Sequence, residues 1–188
     1  MKTVTYTISQ SDVTKVAIPL AVSALKQNFK DYTNHPEWFG GRELNELKAL
    51  WMENAVAVGA FEVLKKDGVA IVHKNADAYY TFADHEGDCF DPVVNDNIDP
   101  AELKRERKRE MSRFNRQGAW YHTLEVLNVE LDSIAGFVGN DFYGSVYEIE
   151  FYNSAFECLK ESGMAEYVSE LLTRVREALS SSALVLDS

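Results

Sequence analysis

Between Leu44 and Phe61 the chain places Leu44, Leu47, Leu50, Trp51, Ala55, Val58 and Phe61 at helical spacing, and from Ala55 onward the run is apolar on most sides. A helix of that kind cannot rest on a surface with one face in water. Other elements must surround it, so the sequence predicts a long helix central to the core. Lys65-Lys66-Asp67-Gly68 supplies basic residues and a glycine for its end. The apolar run Ala55 to Leu64 is interrupted by Gly59 and Glu62 and is far short of the ~20 residues that cross a bilayer.

The chain is long enough to cover such a helix. With 188 residues, a single domain buries about 70% of the surface that its unfolded form exposes. Hydrophobic residues make up 46% and charged residues 26%, which places the chain among globular proteins. There is no internal repeat and no low-complexity linker, so one domain over residues 1–188 is expected, with 180–188 as a loose tail. Cys89 and Cys158 form no metal or redox spacing and read as reduced thiols in a cytoplasm. The opening residues alternate polar and apolar and do not read as a signal peptide.

Thr3 to Ile8, with Val4, Tyr6 and Ile8 on one side, reads as a half-buried strand. Ser9 or Ser11 then caps a helix whose stripe is Val13, Val16, Ala17, Leu20, Ala24 and Leu25, with Pro19 marking a kink or a start. Lys30 to Gly41 reads as a loop. Val69 to His73 and Ala78 to Phe82 read as a hairpin, and Asp99-Pro100 as a helix start, with Gly118 closing that helix. Trp120 to Leu131 is the longest strand candidate, near the middle of a sheet, and glycines at 136, 139 and 144 make Asp132 to Ser145 a loop. Two helices finish the chain, one carrying Tyr152, Ala155, Phe156 and Leu159, the other Val168, Leu171, Leu172, Val175 and Leu179. The expected class is α+β: a small, mostly antiparallel sheet of about four strands packed with about five helices.

The formal net charge is -11, a sign that disfavours general attraction to phosphate backbones. Between Glu102 and Arg116, however, seven basic residues (Lys104, Arg105, Arg107, Lys108, Arg109, Arg113, Arg116) face three acidic ones (Glu102, Glu106, Glu110). That local balance of +4 leaves -15 for the remainder. The alternation with glutamates reads first as a solvated helix with i,i+4 pairs, and direct nucleic-acid contact is disfavoured everywhere except on this helix. The acidity of the rest allows one face to imitate a phosphate surface locally, but an ordinary aromatic core dilutes it.

The densest acidic cluster is Asp84-His85-Glu86-Gly87-Asp88-Cys89-Phe90-Asp91. Several carboxylates converging on one point are what a hard cation requires, so Asp84, Glu86, Asp88 and Asp91 are the candidate ligands for a weak, water-rich Ca²⁺ or Mg²⁺ site. The pattern departs from an EF-hand, with glycine at the fourth position and Asn95 at the twelfth, and a solvated acidic loop is the better reading. His35, His73, His85 and His122 form no HxxxH pair, and His122 and Glu125 face opposite sides of a strand. No serine elbow or phosphate loop occurs, so no catalytic residue is assigned.

Asp132-Ser133-Ile134-Ala135-Gly136-Phe137-Val138-Gly139-Asn140-Asp141, with Trp120-Tyr121-His122 before it and Gly144-Ser145-Val146-Tyr147 after it, resembles segments of small acidic proteins of tailed phages and plasmids. That resemblance, over about 30 residues, implies a host-directed accessory protein that inhibits by binding. The candidate partner-binding residues are Phe137, Asp141, Phe142, Tyr143 and Tyr147, although core packing is the natural fate of most of these rings. The expected function is an acidic, cytoplasmic, phage- or mobile-element-encoded protein that binds a host protein stoichiometrically, with a defence-system protein as one such target. The alternative is a metal-dependent hydrolase or nuclease built on the Asp84 to Asp91 loop, with Glu125 or Asp141 joining it.

Overall fold

The computed structural model describes residues 6–86 and 99–183. Its elements are α1 (Gln10–Asp12), a π turn (Val13–Ala17), α2 (Ile18–Asn34), a 3-10 turn (Pro36–Phe39), α3 (Leu44–Lys66), β1 (Ala70–Ala76), α4 (Phe82–Glu86), α5 (Pro100–Gln117), β2 (Ala119–Val126), β3 (Val129–Val138), α6 (Val146–Leu159), a second π turn (Lys160–Met164) and α7 (Ala165–Ala183). The class is α+β, with five long helices and an antiparallel sheet of three strands in the order β1-β2-β3. The expected four strands reduce to three: Thr3 to Thr5 lie outside the described residues, and Tyr6 to Ser9 run without regular structure.

Two compact units make up the chain: Met1–Ile71 with Val126–Val129 and Val146–Ser188, and Val72–Glu125 with Glu130–Ser145. In the first unit α3 is the central element, packed by α2, α6, α7 and the first π turn. Leu47, Trp51, Ala55, Val56, Ala57, Ala60, Phe61, Val63 and Leu64 are all buried along it. Their azimuths cover nearly the whole circumference, as the apolar run requires. At Gly59 this helix approaches its neighbours closely: a Cβ there would stand 2.9 Å from Ala17 O and 3.2 Å from Val175 Cγ1. At the end of α3 near Trp51, that indole meets Phe29, Tyr32 and Phe39 at centroid distances of 5.1, 5.9 and 5.6 Å, edge-on in each case. Each such pair contributes about 0.5–1.5 kcal/mol beyond its buried area.

Pro19 falls at the start of α2, directly after a π turn. Ser9 caps α1 by accepting from Ser11 N–H, and the helix continues from Gln10 to Asn34 through the π turn, with Pro19 in the first turn of α2. The widened turn, in which Ile18 N–H reaches Val13 O, lets the chain carry a residue that lacks an amide proton. The buried stripe is Val13, Ala17, Ala21 and Leu25, while Leu20 is 40% exposed. A strict spacing of four drifts by about 40° per step in an α-helix, and the wide turn absorbs part of that drift. The helix also runs on to Asn34, which shortens the expected Lys30 to Gly41 loop.

In the second unit the expected hairpin of Val69–His73 with Ala78–Phe82 does not form. β1 pairs instead with β2, as the Asp77 N–H to Ala119 O bond at its end shows. Asp77 Oδ1 accepts from the amides of Tyr79 and Tyr80, an Asx turn that ends the strand. The single strand expected over Trp120 to Leu131 is divided by a turn at Leu127 and Asn128, with φ of 52° and 64°. Two consecutive left-handed residues are the signature of a two-residue hairpin turn, whose twist matches that of the strands. β2 becomes the central strand of the sheet, and the expected Asp132 to Ser145 loop begins only after Val138.

Asp99 caps α5 by accepting from Ala101 N–H, with Pro100 behind it and Gly118 at φ 71° beyond its end. The two C-terminal helices follow the expected stripes, with Tyr152, Ala155, Phe156, Leu159, Val168, Leu171, Val175 and Leu179 buried, and Gly163 at φ 88° marks the break between them. α7 continues to Ala183, so part of the expected loose tail is helix; residues 184–188 lie outside the described residues. No helix among the described residues is long and apolar enough to cross a membrane.

Candidate functional site

The most constructed local feature of the second unit is the turn that follows β3. Gly139 begins it at φ 62°, and a Cβ at this position would stand 2.5 Å from Gln117 Oε1. The left-handed backbone favours glycine here, and any larger residue would also have to displace the Gln117 side chain. Gly139 N–H donates to Gly118 O, Asp141 N–H to Val138 O, Tyr143 N–H to Asn140 O and Ser145 N–H to Phe142 O. These bonds fold residues 139–145 into consecutive tight turns.

Two cations from other elements pin it. Lys74 Nζ, from β1, donates to Gly139 O at 2.6 Å and to Asn140 Oδ1 at 2.8 Å, and it lies 4.4 Å from the Trp120 ring centroid. Arg113, from α5, pairs with Asp141, donates to Val138 O at 3.3 Å and reaches Glu110 at 3.2 Å. The hydrogen bond it donates to the Asp141 carboxylate is the main reason the guanidinium holds its proton more firmly than usual. Lys74, Arg113, Gln117, Gly139, Asn140 and Asp141 line an open polar groove of about 490 Å³.

Beneath the turn, Phe142 is completely buried and lies flat on His122, with centroids 4.0 Å apart and ring planes at 11°. Phe137 and Tyr143 meet the same imidazole edge-on at 5.6 and 5.5 Å. His122 is itself 0% exposed, and neither ring nitrogen has a hydrogen-bond partner among the described residues. Burial, followed by the charge on Lys74, lowers its pKa to about 4, so at neutral pH it is an uncharged member of an aromatic stack.

This placement divides the expected partner-binding residues. Phe137 and Phe142 are buried, and their rings fill the space around His122. Asp141 and Tyr143 remain outside, with Tyr143 48% exposed. Tyr147, 44% exposed, belongs to the first unit. Lys74, Gln117 and Asn140 are the residues that sequence reasoning missed. A lone lysine in a strand gives no local sign that it will reach a carbonyl 65 positions away.

The acidic cluster looks different. Thr81 and Asp84 form a capping box at the start of α4: Asp84 Oδ2 accepts from Thr81 N–H at 2.9 Å and Thr81 Oγ1 at 2.6 Å, while Asp84 N–H donates back to Thr81 Oγ1 at 3.3 Å. These bonds, led by the one from the hydroxyl, hold the Asp84 carboxyl below its ordinary value. Asp88, Asp91 and the side chain of Glu86 lie outside the described residues. Glu125 bonds His73 at 3.2 Å, confirming that it faces away from the buried His122, and Asp141 is engaged by Arg113. Among the described residues no group of three or more His, Cys, Asp or Glu is placed to hold a metal ion. In comparisons with protein-family models, curated proteins and solved structures, nothing matches this chain.

Proposed function

We propose that this chain is a binding protein that associates stoichiometrically with a protein partner through the Gly139 to Ser145 turn. The observation that carries the reading is the way the turn bearing Tyr143 is held, with the ring against His122 and Phe142. A half-exposed tyrosine sits on a turn fixed from beneath by the buried Phe142 ring and from the sides by Lys74 and Arg113. Ordering an interface side chain costs about 0.5–1.5 kcal/mol, and a ring already held in place avoids much of that cost. Tyrosine and arginine are also the residue types that dominate binding energy at protein interfaces. Asp141, at the lip of the groove, adds a charge that fixes orientation.

The likeness of residues 132–141 to phage and plasmid segments supports an accessory protein of a mobile element, with a host protein, for instance one of a defence system, as the partner. The test starts from the full chain used as bait in bacterial lysate, followed by calorimetric titration of the captured protein. A saturating 1:1 complex is expected, and Tyr143→Ala weakens it by about tenfold or more. Unchanged affinity in that variant overturns the assignment of the turn as the interface. Turnover of a substrate by the chain overturns the binding reading itself.

A further inference from the structure

The α5 helix shows a segregation of charge that its sequence conceals. Leu103, Glu106, Glu110, Arg113 and Phe114 are all partly covered, and they recur at the three- and four-residue spacing of one helix face. Glu110 meets Arg113 at 3.2 Å and His85 at 3.7 Å on that face, and Phe114 packs on Tyr80, Phe82 and His85 at 5.9–6.2 Å. Glu110 is thus turned partly inward, whereas the Glu106 side chain stays 40% exposed and meets Arg109 at 3.4 Å. Lys104, Arg105, Arg107, Lys108, Arg109 and Arg116 are exposed, and Glu102 and the Glu106 carboxylate share that surface. Six cations against these two acids leave a net charge of +4 over roughly 18 Å of helix, one per about 4.5 Å, a density of the same order as the one charge per about 3.4 Å of a single strand.

We infer that the outer face of α5 binds a single-stranded nucleic acid along its phosphate backbone, with Tyr79 as a stacking platform for a base. Tyr79 is 94% exposed, and its backbone is fixed by the Asp77 Asx turn. Its neighbour Tyr80 packs against Phe114, which brings the Tyr79 backbone near the C-terminal half of α5. Clustered arginines with an adjacent exposed aromatic form the footprint of a strand-binding surface. An acidic protein partner fits less well. Protein interfaces have a charge-depleted apolar centre, and Met111 is the one large hydrophobic residue on α5 exposed above a third. The overall charge of -11 does not cancel this surface at contact, because charges further than about 8 Å are largely screened at physiological salt. It does make the binding weak and steeply salt-dependent.

The test is fluorescence anisotropy of the full chain with a labelled oligothymidylate of about 20 nucleotides, long enough to exceed the usual site of roughly 4–16. Binding is expected at about 25 mM salt, with a log–log salt slope near -2 to -3 if three or four phosphates are engaged at about 0.7 each. The triple variant R105E/K108E/R116E is expected to lose on the order of 100-fold in affinity and about 2 from the slope. Tyr79→Ala is expected to lose on the order of tenfold on the single strand and much less on a duplex of equal length. Circular dichroism of each variant verifies the fold, and R105K/R116K, which conserves charge, is expected to bind like the parent. Absence of binding at low salt overturns the inference, as does parental affinity in the triple variant. Polyglutamate bound as tightly as the oligonucleotide, with Tyr79→Ala unaffected, also overturns it by assigning the face to acidic proteins.

Discussion

His122 is a buried imidazole with no hydrogen-bond partner among the described residues, and its chemistry sets how the protein responds to acid. Unfolded, it titrates near its ordinary 6.5; folded, it titrates at about 4 because of burial and the nearby Lys74. Between those values the unfolded chain binds the extra proton, so stability is complete above pH 6.5 and is lost as pH falls toward 4. At about 1.4 kcal/mol per pKa unit, the loss across the window is roughly 3 kcal/mol. Denaturant titrations at intervals from pH 7.5 to 4 are expected to show it. His122→Phe keeps the stack on Phe142, removes both unpartnered nitrogens and is expected to flatten this part of the profile, leaving the slope that the carboxylates contribute. An undiminished slope in that variant shows that the pH dependence has another source.

At the scale of elements, the long helices are the legible part. α3, α6 and α7 carry uninterrupted apolar stripes, and α5 is bracketed by an aspartate, a proline and a glycine, so pattern and punctuation agree. The break between β2 and β3 is not legible, because Leu127-Asn128 lacks the glycine that usually announces a two-residue turn and places a leucine at φ 52°. That strain is testable. L127N with N128G supplies the residues that tolerate left-handed backbone, and thermal melts are expected to show a gain of about 1 kcal/mol. The candidate site is legible only in part. Asp141 and Tyr143 stand out in a glycine-rich aromatic stretch, but the two cations that hold them come from distant elements and are joined to the turn by tertiary folding alone. Gly59 illustrates the same limit inside a helix. Alanine is ordinarily about 1 kcal/mol better than glycine there, yet the Cβ would press on a backbone oxygen at 2.9 Å. Gly59→Ala is therefore expected to destabilise by about 1–3 kcal/mol in denaturant unfolding.

Over the whole molecule, the chain passes between its two compact units inside β1 and β2 and at the start of β3, as well as just before α6. Neither unit is a continuous stretch of sequence, which is why no linker marks a boundary. Both units belong to a chain whose charges repel one another at low ionic strength, with 30 acidic side chains against 19 basic ones. Raising sodium chloride from about 10 to 150 mM shortens the Debye length from about 30 to 8 Å. The melting temperature is expected to rise over that range, and a flat or falling trend shows that favourable ion pairs outweigh the repulsion.

The sorting of charge on α5 also has a practical side at the bench. An isoelectric point of about 4.8 advises an anion exchanger for purification and predicts that a sulfonate resin will ignore the protein at neutral pH. A resin, however, meets one side of a molecule at a time. With six exposed cations along one helix, the protein is expected to be retarded on sulfonate beads in dilute buffer, against the sign of its total charge.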